Sequence, residues 1–174
     1  EGTRASPELV TLVQPFSRQA EAIRAARSQV TMRLLRPDVP RQALAVISPD
    51  RGDGKTYFTA NLAVSLAQLG GRTLLVDADL RSPRQHEVFG VPNTAGLSSL
   101  LSGRAESQVI QSVEGVPGLF VLPSGPIPPN PLELIERPAF GLLVRELVSK
   151  FDHVVLDTAA ASHGADACVV AGKC

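Results

Sequence analysis

Lys55 and Thr56 close the stretch Ser48-Pro-Asp-Arg-Gly-Asp-Gly-Lys-Thr56, and residues of these types at this spacing can hold phosphate. Gly52 and Gly54 carry no Cβ, so backbone N–H groups there can turn inward onto phosphate oxygens. A lysine at position 55 can reach the β- and γ-phosphates, and the Thr56 hydroxyl can ligate Mg²⁺. Three acids could complete such a site. Asp77 and Asp79 lie in Leu74-Leu-Val-Asp-Ala-Asp-Leu-Arg81, and Asp157 ends Phe151-Asp-His-Val-Val-Leu-Asp157. Carboxylate oxygens at the ends of apolar strands suit Mg²⁺, directly or through water.

These residues need a scaffold that brings them together. The apolar run Ala43-Leu-Ala-Val-Ile47 reads as a strand leading into the loop, and Thr56 to Leu69 reads as a helix leading out. Strand, glycine-containing loop, Gly-Lys-Thr and helix is the order of a phosphate-binding loop, in which the helix N-terminus adds a partial positive charge. The pattern G-x-x-x-x-G-K-[ST] would put glycine at position 49, where Pro49 stands, so a plain surface turn is the competing reading. Gly70-Gly71 ends the helix, and Thr73 to Asp77 forms the next strand. Ligands bind outside the carboxyl ends of parallel strands, where Asp77 and Asp79 would lie. Helix-capping aspartates at a polar strand end are the alternative for this pair.

The remaining elements follow from local signals. Ser17 can cap a helix running to about Leu35, with Ile23, Val30 and Leu34 at helical spacing. Its residues Glu21, Arg24 and Arg27, at steps of three, read in themselves as a solvated charged face. Pro37 and Pro40 break the chain before the first strand. Short helices are expected over 83–89 and 96–103, a strand over 118–123, and irregular chain over 124–130. Asn130-Pro131-Leu-Glu133 marks a helix start, with Asn130 as N-cap. Helical pattern then runs to Lys150 with a break near Pro138, and Phe151 to Asp157 is a strand. Residues 164–174 could make one more helix.

Composition narrows the class. A chain of 174 residues suits one domain with a sizeable core, residues 17–174, preceded by a short tether over 1–16. Lys+Arg and Asp+Glu balance at 17 each, which leaves no electrostatic footprint for nucleic acid. There is no run of 18 apolar residues, and no signal peptide is visible. Cys168 and Cys174 are separated by five residues, unlike metal or redox pairs, and read as reduced structural thiols of a cytosolic protein.

Taken in order, Gly52-Asp-Gly-Lys-Thr56, Leu74-Leu-Val-Asp-Ala-Asp-Leu-Arg81 and Val154-Val-Leu-Asp-Thr158 resemble the bacterial tyrosine kinases of exopolysaccharide and capsule synthesis. These belong to the P-loop ATPases that include chromosome-partitioning and division-site ATPases. The likeness is greatest to stand-alone autokinases that work with a separate membrane chain-length-determinant protein. The resemblance implies an α/β fold of the P-loop NTPase type: a three-layer sandwich, its sheet mainly parallel with helices on both faces. It implies ATP and Mg²⁺ as cofactors and a protein tyrosine as substrate. The nucleotide-binding run would be Asp50, Arg51, Gly52, Asp53, Gly54, Lys55, Thr56 and Tyr57. Thr56, Asp77 and Asp157 would hold the metal, and Lys55, Asp77 and Asp79 would serve catalysis, with either Asp79 or Asp77 deprotonating the tyrosine. Arg81 would contact phosphate, substrate or a neighbour. Glu21-Ala-Ile-Arg24-Ala-Ala-Arg27 fits the family's Glu-x-x-Arg-x-x-Arg motif for ring-shaped self-assembly. A cytoplasmic protein held at the inner membrane through its partner follows from the same likeness.

The chain also departs from the family. Ala159-Ala160 replaces a proline pair, Arg51 a proline, and no tyrosine cluster follows, Tyr57 being the only tyrosine. These departures imply a domain continued beyond Cys174, with Tyr57 buried or structural. A switch ATPase without kinase activity is the rival, but such relatives carry an extra loop lysine where Asp50 and Arg51 stand. A nucleotide-gated module that acts by touching a membrane partner is a third reading.

Overall fold

The structure, a computed structural model, describes residues 17–33, 43–46, 53–104 and 108–158, the side chains of 30–33 and 53–55 excepted. Helix α1 spans Arg18–Arg33, strand β1 Leu44–Val46, helix α2 Asp53–Ala67 and strand β2 Thr73–Ala78. Short helices α3, Gln85–Phe89, and α4, Leu97–Leu101, precede strands β3, Gln111–Ser112, and β4, Leu119–Leu122. Helices α5, Pro131–Glu136, and α6, Pro138–Lys150, lead to strand β5, His153–Thr158. The 1–16 tether, the 164–174 helix and both cysteines lie outside the described residues.

The strands form one sheet in the order β1-β5-β2-β4-β3, parallel except for the β3–β4 pair at one edge. β2 is central and buried at every position, which explains its unbroken apolar run. Side chains alternate between the two faces of a strand. On β2 and β5 the even-numbered Leu74, Val76, Val154 and Leu156 pack with α4, α5 and α6 through Leu97, Leu134, Phe140 and Val144. The odd-numbered Leu75 and Val155 face the other way, onto Leu62, Val64 and Leu66 of α2, with Val88 and Phe89 of α3 beside them. Each of these fully buried aliphatic side chains contributes roughly 1.5–3 kcal/mol. Helices therefore cover both faces of a mostly parallel sheet, as the family resemblance implied.

Local signals account for most element ends. The Ser17 Oγ accepts the Ala20 N–H at 3.1 Å, so α1 is capped as expected. Ala20 and Ile23 of α1 are buried, and the helix packs against α2. α2 begins at Asp53, three residues before the expected start at Thr56, and stops at Ala67, ahead of Gly70 and Gly71 with φ of +95° and +77°. Asn130 departs from its expected role. Its side chain makes no cap bond to the α5 backbone; instead Nδ2 donates to Glu133 Oε2 at 2.8 Å. Strand β3 was not expected. Two residues are too few to show a period, and only pairing with β4 makes Gln111–Ser112 a strand.

Candidate nucleotide site

The alternation that builds the core also builds the site. Asp77 and Asp157 continue the odd-numbered series of β2 and β5, the series that faces α2, and they are direct partners across the parallel ladder. Both lie near the carboxyl ends of their strands and are buried, 0% and 1% exposed. Two carboxylates side by side, out of water, oppose each other's ionisation. Burial pushes the Asp77 carboxyl well above the usual carboxylate range, and the neighbouring Asp157 charge adds to that push. The backbone N–H groups of Gln85 and Asp79 act in the opposite direction.

Asp77 also organises the chain after β2. Its Oδ1 accepts the Asp79 N–H at 3.2 Å, and its Oδ2 accepts those of Arg84 at 3.1 Å and Gln85 at 3.0 Å. The bonds from Arg84 and Gln85 satisfy N–H groups at the start of α3 that no helical carbonyl can reach. The capping alternative raised for these aspartates is thus realised at Asp77. Asp79 is half-buried, and its Oδ1 accepts from Arg81 N at 3.3 Å and Ser82 N at 2.9 Å. That local turn holds Asp79 at the mouth of the β2–α3 connection and leaves Arg81 exposed.

The loop that should bind phosphate is bracketed by described elements. Asp50, Arg51 and Gly52 lie outside the described residues. Asp53, Gly54, Lys55 and Thr56 form the first turn of α2, whose leading N–H groups have no partner within the helix. The sheet fixes the entrance to the loop: Thr158 Oγ1 donates to the Val46 carbonyl at 2.6 Å, joining the ends of β5 and β1. Tyr57 is half-buried, and burial raises its hydroxyl pKa.

One buried side chain was absent from the sequence reading. Gln85 is fully buried, and its Nε2 donates to Asp157 Oδ2 at 2.7 Å and to the Thr56 carbonyl at 3.2 Å. Its Oε1 has no partner among the described residues. A glutamine between Pro83 and Phe89 carries no motif. The one available signal was its place at the expected start of a helix directly after the acid pair.

The donor set fits Mg²⁺. A threonine hydroxyl and two buried carboxylates are hard oxygen ligands, and Mg²⁺ takes one or two carboxylates alongside phosphate oxygens and waters. A cation would relieve the opposition between Asp77 and Asp157, and its waters could donate to the buried Gln85 Oε1.

The proposed assembly face lies apart, on α1. Glu21 is exposed, while Arg24 and Arg27 are half-buried. Arg27 Nη1 donates to the Ser65 carbonyl of α2 at 3.2 Å, so this arginine is anchored within its own chain. Burial, followed by the charge of Arg24, lowers its pKa.

Comparison with known proteins agrees with this geometry. Residues 44–152 match the CobQ/CobB/MinD/ParA nucleotide-binding domain family. The tyrosine-protein kinase YwqD of Bacillus subtilis is 35% identical over 157 residues, covering 90% of this chain and 65% of the relative. The tyrosine-protein kinase CpsD of Streptococcus agalactiae is 38% identical over 132 residues, covering 75% of this chain and 58% of the relative. The kinase domain of the Escherichia coli tyrosine kinase ETK superposes with a TM-score of 0.91 at 30% identity, over 99% of this chain and 67% of that domain. The chain thus spans less than two thirds of the length of these curated relatives.

Proposed function

We propose, since this chain belongs to the CobQ/CobB/MinD/ParA nucleotide-binding family and within it to the bacterial tyrosine kinases, that it transfers the γ-phosphoryl group of ATP to a protein tyrosine. The observation that carries the reading is the buried Asp77–Asp157 pair, aligned in one register on the face of the sheet that meets α2. In this reading Lys55 and the N–H groups of its turn bind the β- and γ-phosphates. Thr56 and Asp77, with Asp157 directly or through water, would hold Mg²⁺. Bound Mg²⁺ supplies charge neutralisation on the phosphoryl oxygens.

The tyrosine hydroxyl oxygen bonds to the γ-phosphorus as the bond to the departing ADP breaks, and the phenolic proton goes to Asp79. Asp77 is ill suited to take that proton, because it is fully buried and already accepts three backbone N–H bonds. Asp79 is half-buried in the connecting turn and so more open to solvent than Asp77. Catalysis of this kind is mainly positioning and electrostatic stabilisation. The biological setting follows from the resemblance: control of exopolysaccharide or capsule polymerisation, at the inner membrane, with a chain-length-determinant protein as partner. Among the described residues no helix is long and apolar enough to cross a membrane.

The test is incubation of the chain with Mg·ATP and a tyrosine-rich peptide, followed by intact mass. Addition of one phosphate to the peptide is expected. Consumption of ATP with no phosphopeptide would move the assignment to a switch ATPase.

Self-association through α1 is part of the same proposal. Glu21 is exposed and Arg24 half-buried on α1, while Arg27 bonds the Ser65 carbonyl of its own chain. Arg24→Glu is expected to reduce the assembly to monomers with an unchanged circular-dichroism spectrum. Equal masses by light scattering for both proteins would remove α1 from the interface.

A further inference from the structure

We infer that Gln85 is the positioning residue of the metal end of this site: it fixes Asp157 relative to the first turn of α2 and accepts a hydrogen bond from the hydrated cation. The inference rests on the nucleotide reading given above, and it extends that reading to a residue outside the recognised motifs.

The orientation of the carboxamide is forced by its neighbours. Asp157 Oδ2 and the Thr56 carbonyl are both acceptors, so the atom facing them must be the –NH₂ group. Both of its protons are then used, one for each oxygen. Turning the amide over would set oxygen against oxygen at 2.7 Å and 3.2 Å. Oε1 is thereby fixed as a buried acceptor with no donor among the described residues. Buried polar atoms are nearly always satisfied, so an oxygen held in this position calls for a donor that arrives with a ligand.

The connectivity of Gln85 indicates which ligand. Its backbone N–H binds Asp77 Oδ2, and its side chain binds Asp157 and the residue that supplies the threonine hydroxyl. One residue therefore touches all three candidate metal-binding positions. Mg²⁺ keeps several of its waters when it binds, and those waters are strong hydrogen-bond donors. Partners that orient the groups holding a metal commonly alter its affinity by tenfold or more. A residue serving only as a strut for α3 would steady the fold without reading the cation.

The two roles separate in a binding experiment. Wild type and Gln85→Met, which has similar volume but neither donor nor acceptor, are titrated with ADP in EDTA and then with Mg²⁺ at fixed ADP. Metal-free ADP affinity is expected to stay within about twofold, while the Mg²⁺ concentration for half-saturation rises at least tenfold. An unchanged Mg²⁺ midpoint, or an equal loss of affinity with and without metal, overturns the inference. If Gln85→Met does not fold, Gln85→Asn serves instead: a shorter amide cannot span Asp157 and Thr56 together, and the same shift is expected. Because no phosphotyrosine is read, a Gln85-dependent midpoint in a chain that never phosphorylates peptide would sustain this inference and reject the kinase. Failure of the wild type to bind ADP at all would reject both.

Discussion

Lys55→Met is expected to reduce phosphotyrosine formation by at least a hundredfold while the protein remains folded. The loss follows from where charge develops. In phosphoryl transfer, negative charge spreads over the β- and γ-phosphate oxygens, and a fixed cation there stabilises the transition state more than the ground state. Removing a single preorganised stabilising group commonly costs about 10²–10³ in rate. Methionine keeps most of the length and the apolar stem of lysine and deletes the charge and its three N–H donors. The backbone of residue 55 sits in the first turn of α2, where methionine is a good helix former, so the helix should persist. Rates of peptide phosphorylation by intact mass, with thermal unfolding measured alongside, decide the matter. A variant that folds and still phosphorylates within a few-fold of wild type would remove Lys55 from the chemistry.

Gly96→Ala should be the most damaging single methyl group in the described chain. A Cβ at position 96 would lie 2.1 Å from the Pro123 carbonyl oxygen and 2.4 Å from the Gly125 nitrogen. Neither atom can swing aside, since both belong to backbone already in use. The Leu97 and Ser98 N–H groups donate to the Pro123 and Ser124 carbonyls at 2.8 Å and 2.7 Å, which caps α4 from another loop. Asn93 holds the same loop, accepting from Gly125 N at 2.8 Å and donating to Gly125 O at 3.2 Å. The methyl group must break this clasp, at a cost of about 3 kcal/mol by analogy with overpacked cores. For a domain of this size that lowers Tm by roughly 6–12 °C. Gly103→Ala is the control: its φ is +70°, but a Cβ there meets nothing within 4 Å. It should cost only about 1 kcal/mol. If the two variants melt together, the clasp is not tight.

What the sequence could reveal divided along physical lines. Apolar runs and glycine stops disclosed α2, β2, β4 and β5, because burial and backbone freedom act locally. Asp77 and Asp157 could be named from their strand ends, but their adjacency depends on β5 lying beside β2 across 80 residues of chain. Asp77 as the organiser of α3 was visible only as an alternative, since an aspartate that caps and one that binds metal look alike in one dimension. Gln85 was illegible because its side chain acts on partners 29 and 72 residues away. The Asn130-Pro131-Leu-Glu133 signal placed the helix start correctly, with Asn130 at the N-cap position, but the Asn130 amide donates to Glu133 and makes no cap bond to the backbone. Asp50, Arg51 and Gly52 remain expectations from the loop pattern.

The strand order has a consequence for how the protein comes into being. β1, which delivers the phosphate-binding loop, pairs among the described strands with β5 alone, and β5 is the last of them in sequence. A ribosome that has released β1, α2 and β2 has therefore produced every residue of the loop but no sheet position for its leading strand. Closing that long separation costs chain entropy before any contact repays it, so docking of β5 should be a late event. The nascent chain would then be unable to seat that loop on the sheet until β5 arrives. Pulsed hydrogen exchange during refolding should show protection of Leu44–Val46 arising together with that of His153–Thr158; protection of β1 well before β5 would refute this order of assembly.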